Sequence, residues 1–259
     1  MWSIYDALIA GIPEEWKAEE IVRGSEYSYV KSEGSIGIGE LLAYDWRIPL
    51  FSKNMEGAPL RTVAECIKSW NFPEASLGLA AINAYYNNLG MAKKSGVTIG
   101  DSMHVEDRVY DPFIMSQNEI RGKKVTIIGH FPHLETLFEP VCEMRIIVGQ
   151  DPVEDDYPPT AAEYLLPESD YVFIRSACLV DKTLPRLLEL SKNARKVTIV
   201  GPATTLAPVL FDYGVHDLSG FVVKDVERAM RMIRGAENGK IFSAGQKVAF
   251  KRQEYHKLS

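Results

Sequence analysis

Lys123-Lys124-Val125-Thr126-Ile127-Ile128-Gly129 and Arg195-Lys196-Val197-Thr198-Ile199-Val200-Gly201 share one pattern: two basic residues, a β-branched apolar run, then glycine. Apolar residues at consecutive positions mark a strand buried on both faces, and such strands belong to parallel sheets covered by helices. Residues 143–148, 171–174 and 215–218 supply further candidate strands. Helical intervals fall at residues 134–138, 160–166, 184–190, 206–211 and 226–233. This alternation predicts an open, mostly parallel sheet with right-handed crossovers. The echo between the two stretches is what two adjacent buried strands demand and does not demonstrate duplication.

Before residue 119 the pattern differs. Residues 2–9 predict a short helix, and residues 26–31 and 35–42 predict a hairpin about Glu33-Gly34. Ile36 and Ile38 alternate with Gly37 and Gly39, so one strand face is bare, for close packing or for close approach of a ligand. Pro59 leads a helix, and Pro73-Glu74 leads a second whose Ala75, Ala80, Ala81 and Ala84 suit close packing. Asn83 on that helix either binds a ligand or satisfies a neighbouring backbone group. The expected organisation is an α/β chain in two parts. Residues 1–118 form an α+β domain, and residues 119–259 form a three-layer domain with a mostly parallel sheet. The tail, where Val248 and Phe250 alternate with lysines, is a late strand or a clasp returning to the first domain.

Composition narrows the class. A formal charge of −6 and a pI near 5.5 provide no global basic field, so nucleic acid is not an expected partner. No apolar run approaches the roughly 20 residues that span a bilayer, and no signal segment opens the chain. Cys66, Cys142 and Cys178 are widely spaced and odd in number, which fits reduced thiols in the cytoplasm. A small molecule or a metal is the expected ligand, without membrane association and with room for a homodimer.

In an open parallel sheet ligands collect beyond the carboxyl ends of the strands. Those ends are Gly129-His130-Phe131-Pro132-His133, Gly149-Gln150-Asp151, Arg175-Ser176-Ala177-Cys178 and Gly201-Pro202-Ala203-Thr204-Thr205. Neither Gly-x-Gly-x-x-Gly nor the Walker lysine motif is present, which disfavours a standard dinucleotide or triphosphate site. His130 and His133 are candidate bases or metal ligands, although Pro132 between them breaks a helical juxtaposition. Cys178 is a thiolate ligand or a structural thiol. Thr204 and Thr205 either cap the next helix or leave donors for an anion, and Asp181 and Thr183 straddle another helix entrance. Asp101 and His104, followed by Glu106 and Asp107, form a mixed segment able to receive a hard or borderline metal.

Residues 75–84 (Ala-Ser-Leu-Gly-Leu-Ala-Ala-Ile-Asn-Ala), Val125 to Pro132, residues 176–188 and Val200 to Thr205 together carry a resemblance. The order Gly214-Val215, Leu218-Ser219-Gly220 and Asp225 extends it. The pattern resembles a prokaryotic family of unknown function described as "putative heavy-metal chelation", in which an enolase N-terminal-like domain precedes a Rossmann-like domain. That resemblance implies a ligand between the domains, either a heavy metal or a metal-bearing small molecule. Candidate metal ligands are His130, His133, Cys178, His104 and Asp101. Gly129, Phe131, Pro132, Ser176, Thr183, Gly201, Pro202 and Thr204 would shape the cleft. The alternative it implies is an enzyme acting on a pterin-, flavin- or nucleotide-like molecule, with His130 as proton shuttle and Asn83 or Asp181 orienting the substrate. Asp181 stands where that family's Asn-x-Thr has asparagine, which adds a carboxylate.

Overall fold

The computed structural model describes residues 2–42, 47–51, 54–100, 110–149, 152–153 and 155–255. It holds two sheets. An antiparallel three-stranded sheet is formed by β1 (Glu20–Arg23), β2 (Tyr27–Ser32) and β3 (Ser35–Glu40). The six-stranded sheet contains β4 (Lys124–Ile128), β5 (Glu143–Ile147), β6 (Tyr171–Arg175), β7 (Lys196–Val200), β8 (Asp217–Val223) and β9 (Gly245–Lys251). Its order is β5-β4-β6-β7-β8-β9, parallel except for β9, which runs antiparallel along β8. Strand order reverses beside β4, with β5 on one side and β6 on the other.

Helices α1 (Ser3–Ala10), α2 (Leu60–Ala64), α3 (Phe72–Tyr86), α4 (Leu89–Lys94) and α5 (Pro112–Ser116) precede the larger sheet. Those within or after it are α6 (Leu134–Phe138), α7 (Ala162–Leu165), α8 (Leu184–Leu190), α9 (Val226–Ile233) and α10 (Arg252–Tyr255). Among the described residues no helix is long and apolar enough to cross a membrane.

The apolar runs behave as continuous burial requires. Val125, Ile127, Val172, Phe173, Ile174, Val197 and Ile199 are all buried, so both faces of the central strands are covered. Three boundaries differ from the sequence pattern. β1 is an additional edge strand of four residues, too short to show an alternation. β8 runs on to Val223 because pairing with β9 continues through Gly220. The interval after Thr205 is a 3-10 helix, Pro208–Tyr213, begun at Ala207 without a side-chain cap. Thr204 and Thr205 therefore do not cap it.

α3 is the central helix of the chain. Asn71 caps its start, its side chain accepting from the Glu74 amide, and the proline in its first turn needs no donor. Almost every residue along it is buried, because it lies between layers rather than on a surface. It presses on β3 so closely that a Cβ on Gly37 would sit 1.9 Å from the Ala84 nitrogen and 2.2 Å from the Ala80 oxygen. A Cβ on Gly39 would lie 2.0 Å from the Ser76 oxygen. The bare strand face thus receives a helix backbone. Behind it, Asn83 and Asn87, one turn apart, reach into the second sheet. The Asn83 Nδ2 donates to the Ile38 oxygen of β3 (2.8 Å) and to the Ala203 oxygen after β7 (2.9 Å), and its Oδ1 accepts from the Thr205 hydroxyl (2.6 Å). The Asn87 Nδ2 donates to the Thr204 and Phe221 oxygens, and its Oδ1 accepts from the Leu206 amide at 2.9 Å.

Removing either device should be costly. Gly37→Ala forces backbones apart and should destabilise by about 3 kcal/mol. Asn83→Ala leaves buried carbonyls and a hydroxyl without partners and should cost about 2–3 kcal/mol. Gly34→Ala, at the open hairpin turn with φ +70° and no atom within 4 Å of the new Cβ, carries only the backbone penalty, about 1 kcal/mol. Urea titration of the three variants checks this ranking, and an Asn83→Ala protein as stable as the parent would contradict the role given to the amide.

Candidate functional site

The carboxyl ends of β4, β6 and β7 meet the end of β3 at the point where strand order reverses. β4 leaves through Gly129 at φ +102°, where an added Cβ would lie 3.0 Å from the Arg175 Cδ. β7 leaves through Gly201 at φ +140°, where an added Cβ would lie 2.4 Å from the Ser176 Oγ. Both positions need glycine twice over, for the backbone angle and for the neighbour. They let the first residues after β6 occupy the centre of the crevice.

Across that crevice stands Glu40, the last residue of β3. Its Oε1 accepts from the Arg175 Nε at 2.8 Å and from the second guanidinium nitrogen, and its Oε2 accepts from the Ser176 hydroxyl at 3.2 Å. Arg175 and Ser176 thus bind a carboxylate supplied by the other sheet. Burial works against the Arg175 charge, but Glu40 offsets it and holds the guanidinium pKa above its usual value. Opposite Glu40 in the hairpin register, Tyr27 is pushed up to about 12, by burial first and then by the carboxylates of Glu40 and Glu26. The site thus sets a charged guanidinium against the Glu40 side chain, beside a phenol that is neutral at neutral pH.

His130 follows Gly129 and is half-buried. Its Nε2 lies 2.6 Å from the Asp156 Oδ2, which also accepts from the Val153 amide at 2.7 Å. A carboxylate oxygen accepts, so Nε2 carries the hydrogen of this bond and Nδ1 is the nitrogen not used by Asp156. Asp156 arrives there because the acidic, proline-rich connection turns back along the sheet edge. Tyr157 pairs with Ile147, its amide donating to the Ile146 oxygen at 2.8 Å. The connection between β5 and α7 thus carries the histidine's partner.

The remaining sequence candidates are distributed around this centre. Phe131 stacks on Phe113 at 5.0 Å between centroids, as part of an aromatic cluster. Pro132 and His133 are exposed, and His133 adopts φ +67° before α6. Cys178 is buried in the 3-10 turn after β6. Burial, then the nearby Asp181 carboxylate, drives its thiol well above the ordinary range. The Asp181 Oδ1 accepts from the Thr183 amide (2.9 Å) and hydroxyl (2.5 Å), and burial raises its carboxyl pKa. Pro202 is half-buried beside Gly201, and Thr204 is fully buried with a hydroxyl that has no partner. Asn83 faces Thr205 and Ala203 behind the crevice, with both amide hydrogens engaged. His104 and Asp101 lie outside the described residues. Among the described residues, no three His, Cys, Asp or Glu side chains are arranged to hold a metal ion.

Sequence reasoning did not single out Glu40, Arg175 or Asp156. Arg175 had one usable signal, its place at the exit of β6, the strand following the second crossover. Glu40 had none, because its partners are 135 and 136 positions away. The thiols give a direct check on the local environment. Burial raises Cys66 to about 12 and Cys142 to about 11, and it also raises Cys178 well above the ordinary thiol value. At pH 8 all three should remain almost entirely as thiols, with alkylation by iodoacetamide much slower than in urea-unfolded protein. Mass spectrometry of the labelled peptides measures this, and fast labelling of Cys178 in the native state would overturn its placement as an inert group.

Comparison with known proteins agrees with this architecture. Two family models, both described as "Putative heavy-metal chelation", match residues 5–86 and 111–252. A crystal structure from Desulfitobacterium hafniense, described as a protein of unknown function from the DUF364 family, is 55% identical with a TM-score of 0.90, covering 97% of this chain and 98% of that one. A Pyrococcus horikoshii structure with the same description is 22% identical with a TM-score of 0.75, covering 96% and 98%. An uncharacterised protein of Methanocaldococcus jannaschii is 25% identical, covering 93% of this chain and 92% of its own. With a sequence match over most of the larger sheet and a 55% identical relative along nearly its whole length, the chain belongs to the DUF364 family, whose model is described as putative heavy-metal chelation.

Proposed function

We propose that the chain binds a metal-bearing small molecule in the crevice between the two sheets, and that it recognises the organic carrier more than the bare ion. The observation that carries this reading is the Glu40–Arg175–Ser176 set at the strand-order reversal, where a guanidinium and a hydroxyl hold a carboxylate between glycine-lined strand exits. An acidic chelator presents that same carboxylate chemistry and would take the place of Glu40 on the Arg175 guanidinium, whose planar fork suits a carboxylate.

The donor set fits a carried metal better than a naked one. A bare transition metal takes about four protein ligands in a closed site. The crevice offers one well-oriented imidazole, His130, backed by Asp156 in the way that metal-binding histidines are usually held. Cys178 is a neutral buried thiol and would bind a metal only by releasing its proton. A metal that arrives with its own oxygen or nitrogen ligands needs little more than one imidazole and a clamp for its carrier.

The His130–Asp156 pair also supports a second reading, in which the crevice is an active site for a pterin-, flavin- or nucleotide-like molecule and His130 Nδ1 moves a proton. Asp156 would fix the tautomer, as the orienting acid does in catalytic dyads.

Untagged protein should be equilibrated separately with zinc, nickel, cobalt and copper, each as the chloride and as the citrate complex, then desalted and analysed for metal. Near-stoichiometric retention from a citrate complex, with much less from its chloride, is expected. Arg175→Met and His130→Ala should each reduce it by about tenfold or more. Protein left metal-free by both forms would sink the proposal. An ultraviolet-absorbing organic molecule released on denaturation of such metal-free protein would favour the enzyme reading.

A further inference from the structure

A second cavity lies away from the crevice and shares none of Glu40, Gly129, His130, Arg175, Ser176 or Gly201. It encloses about 890 Å³ and follows α8 from Lys182 at one end to Ala194 at the other, with α1 and Trp70 forming the facing wall. Its volume falls within the roughly 300–1,000 Å³ range of small-molecule sites.

Its lining is unusual for an acidic protein. Lys182, Arg186, Lys192 and Arg252 face it, and Glu189 is the acid among its described lining residues. Glu189 is itself bonded to Arg186 at 2.7 Å, so the local balance is positive where the whole chain is negative. At the α8 entrance are two indoles that a stable core would have buried. Trp2 is 37% and Trp70 52% exposed, with ring centroids 6.3 Å apart and edges meeting at 65°. Tyr5 continues the aromatic wall, 5.3 Å from Trp2.

Lys182 is held at that end with care. It takes a left-handed backbone, φ +67°, and donates to the Ser69 and Val180 oxygens. Its ammonium stands 5.6 Å from the Trp70 ring centre and 5.0 Å from that of Phe72. At the other end, the His216 Nδ1 accepts from the Val197 amide at 3.1 Å, so the ring's remaining nitrogen carries the donor. α8 spans seven residues, about 10 Å, and the cavity lining runs past both of its ends.

We infer that this cavity is a binding site for a flat aromatic anion, its ring lying against Trp2 or Trp70 and its phosphate or carboxylate held among the cations that line the cavity. Aromatic faces and cations line one cavity here, and each alone would be weak. Burial lowers Lys182 to about 8, so a neighbouring anion would favour its protonated form.

Calorimetric titration of the full chain with 1-naphthyl phosphate tests the inference, with 1-naphthol and inorganic phosphate as the two halves of the probe. One equivalent of 1-naphthyl phosphate should bind, and each half alone should bind about tenfold more weakly or worse. Trp70→Ala and Lys192→Ala change surface side chains, and circular dichroism should show both folded. Each should weaken the phosphate ester by about tenfold. The inference fails if the parent shows no binding at millimolar probe, or if neither substitution changes the affinity. It fails equally if Trp70→Ala dissociates a dimer in sedimentation while leaving probe affinity intact, since the cavity would then be an interface between copies.

Discussion

Two asparagines one helical turn apart bind the molecule together. Asn83 and Asn87 lie in a helix buried on nearly all sides, and each amide serves carbonyls that no strand or helix partner reaches. A buried amide left unpaired costs as much as several good apolar contacts contribute, so these side chains fix the docking of the sheets far more sharply than hydrophobic burial can. Apolar surfaces slide over one another with small penalties, but an Nδ2 placed between the Ile38 and Ala203 oxygens has one satisfactory position. The glycines of β3 complete the constraint by letting α3 sit against the strand backbone.

That docking precision is what the crevice needs. Glu40 belongs to one sheet, and Arg175 and Ser176 belong to the other. A charge pair across such a junction holds its geometry only if the layers cannot shift. The pair is also partly open to solvent, so its attraction is screened and contributes little to stability by itself. Its value lies in keeping a guanidinium charged and oriented in a half-buried place. A ligand carboxylate at Arg175 would meet an arrangement already set for it.

The sequence made the larger sheet legible because buried parallel strands leave a strong local signature. Residues 123–129 and 195–201 show it plainly, and the glycines that end them mark the site's floor. The bare face at Gly37 and Gly39 was equally visible, and sequence put packing ahead of ligand approach without identifying the packing partner. What decided between them was contact with Ala80 and Ala84, which pattern alone does not reveal. Asn83 posed the same question and is resolved the same way, by acceptors 45 and 120 positions distant. The crevice pairing of Glu40 with Arg175 was hidden because neither residue stands in a motif. Thr204 and Thr205 looked like helix caps, yet the helical segment starts only at Pro208 and Thr205 serves the asparagine instead.

The span of the asparagine bonds bears on how the protein is made. Asn83 and Asn87 leave the ribosome well before residues 203–221, whose backbone they will satisfy. Until then Asn83 has the Ile38 oxygen as a protein partner, and the groups that will meet residues 203–221 face water. A chain growing at about 5–20 residues per second waits several seconds for the missing strands. The early part therefore completes the hydrogen bonding of its own asparagines only when the second sheet arrives.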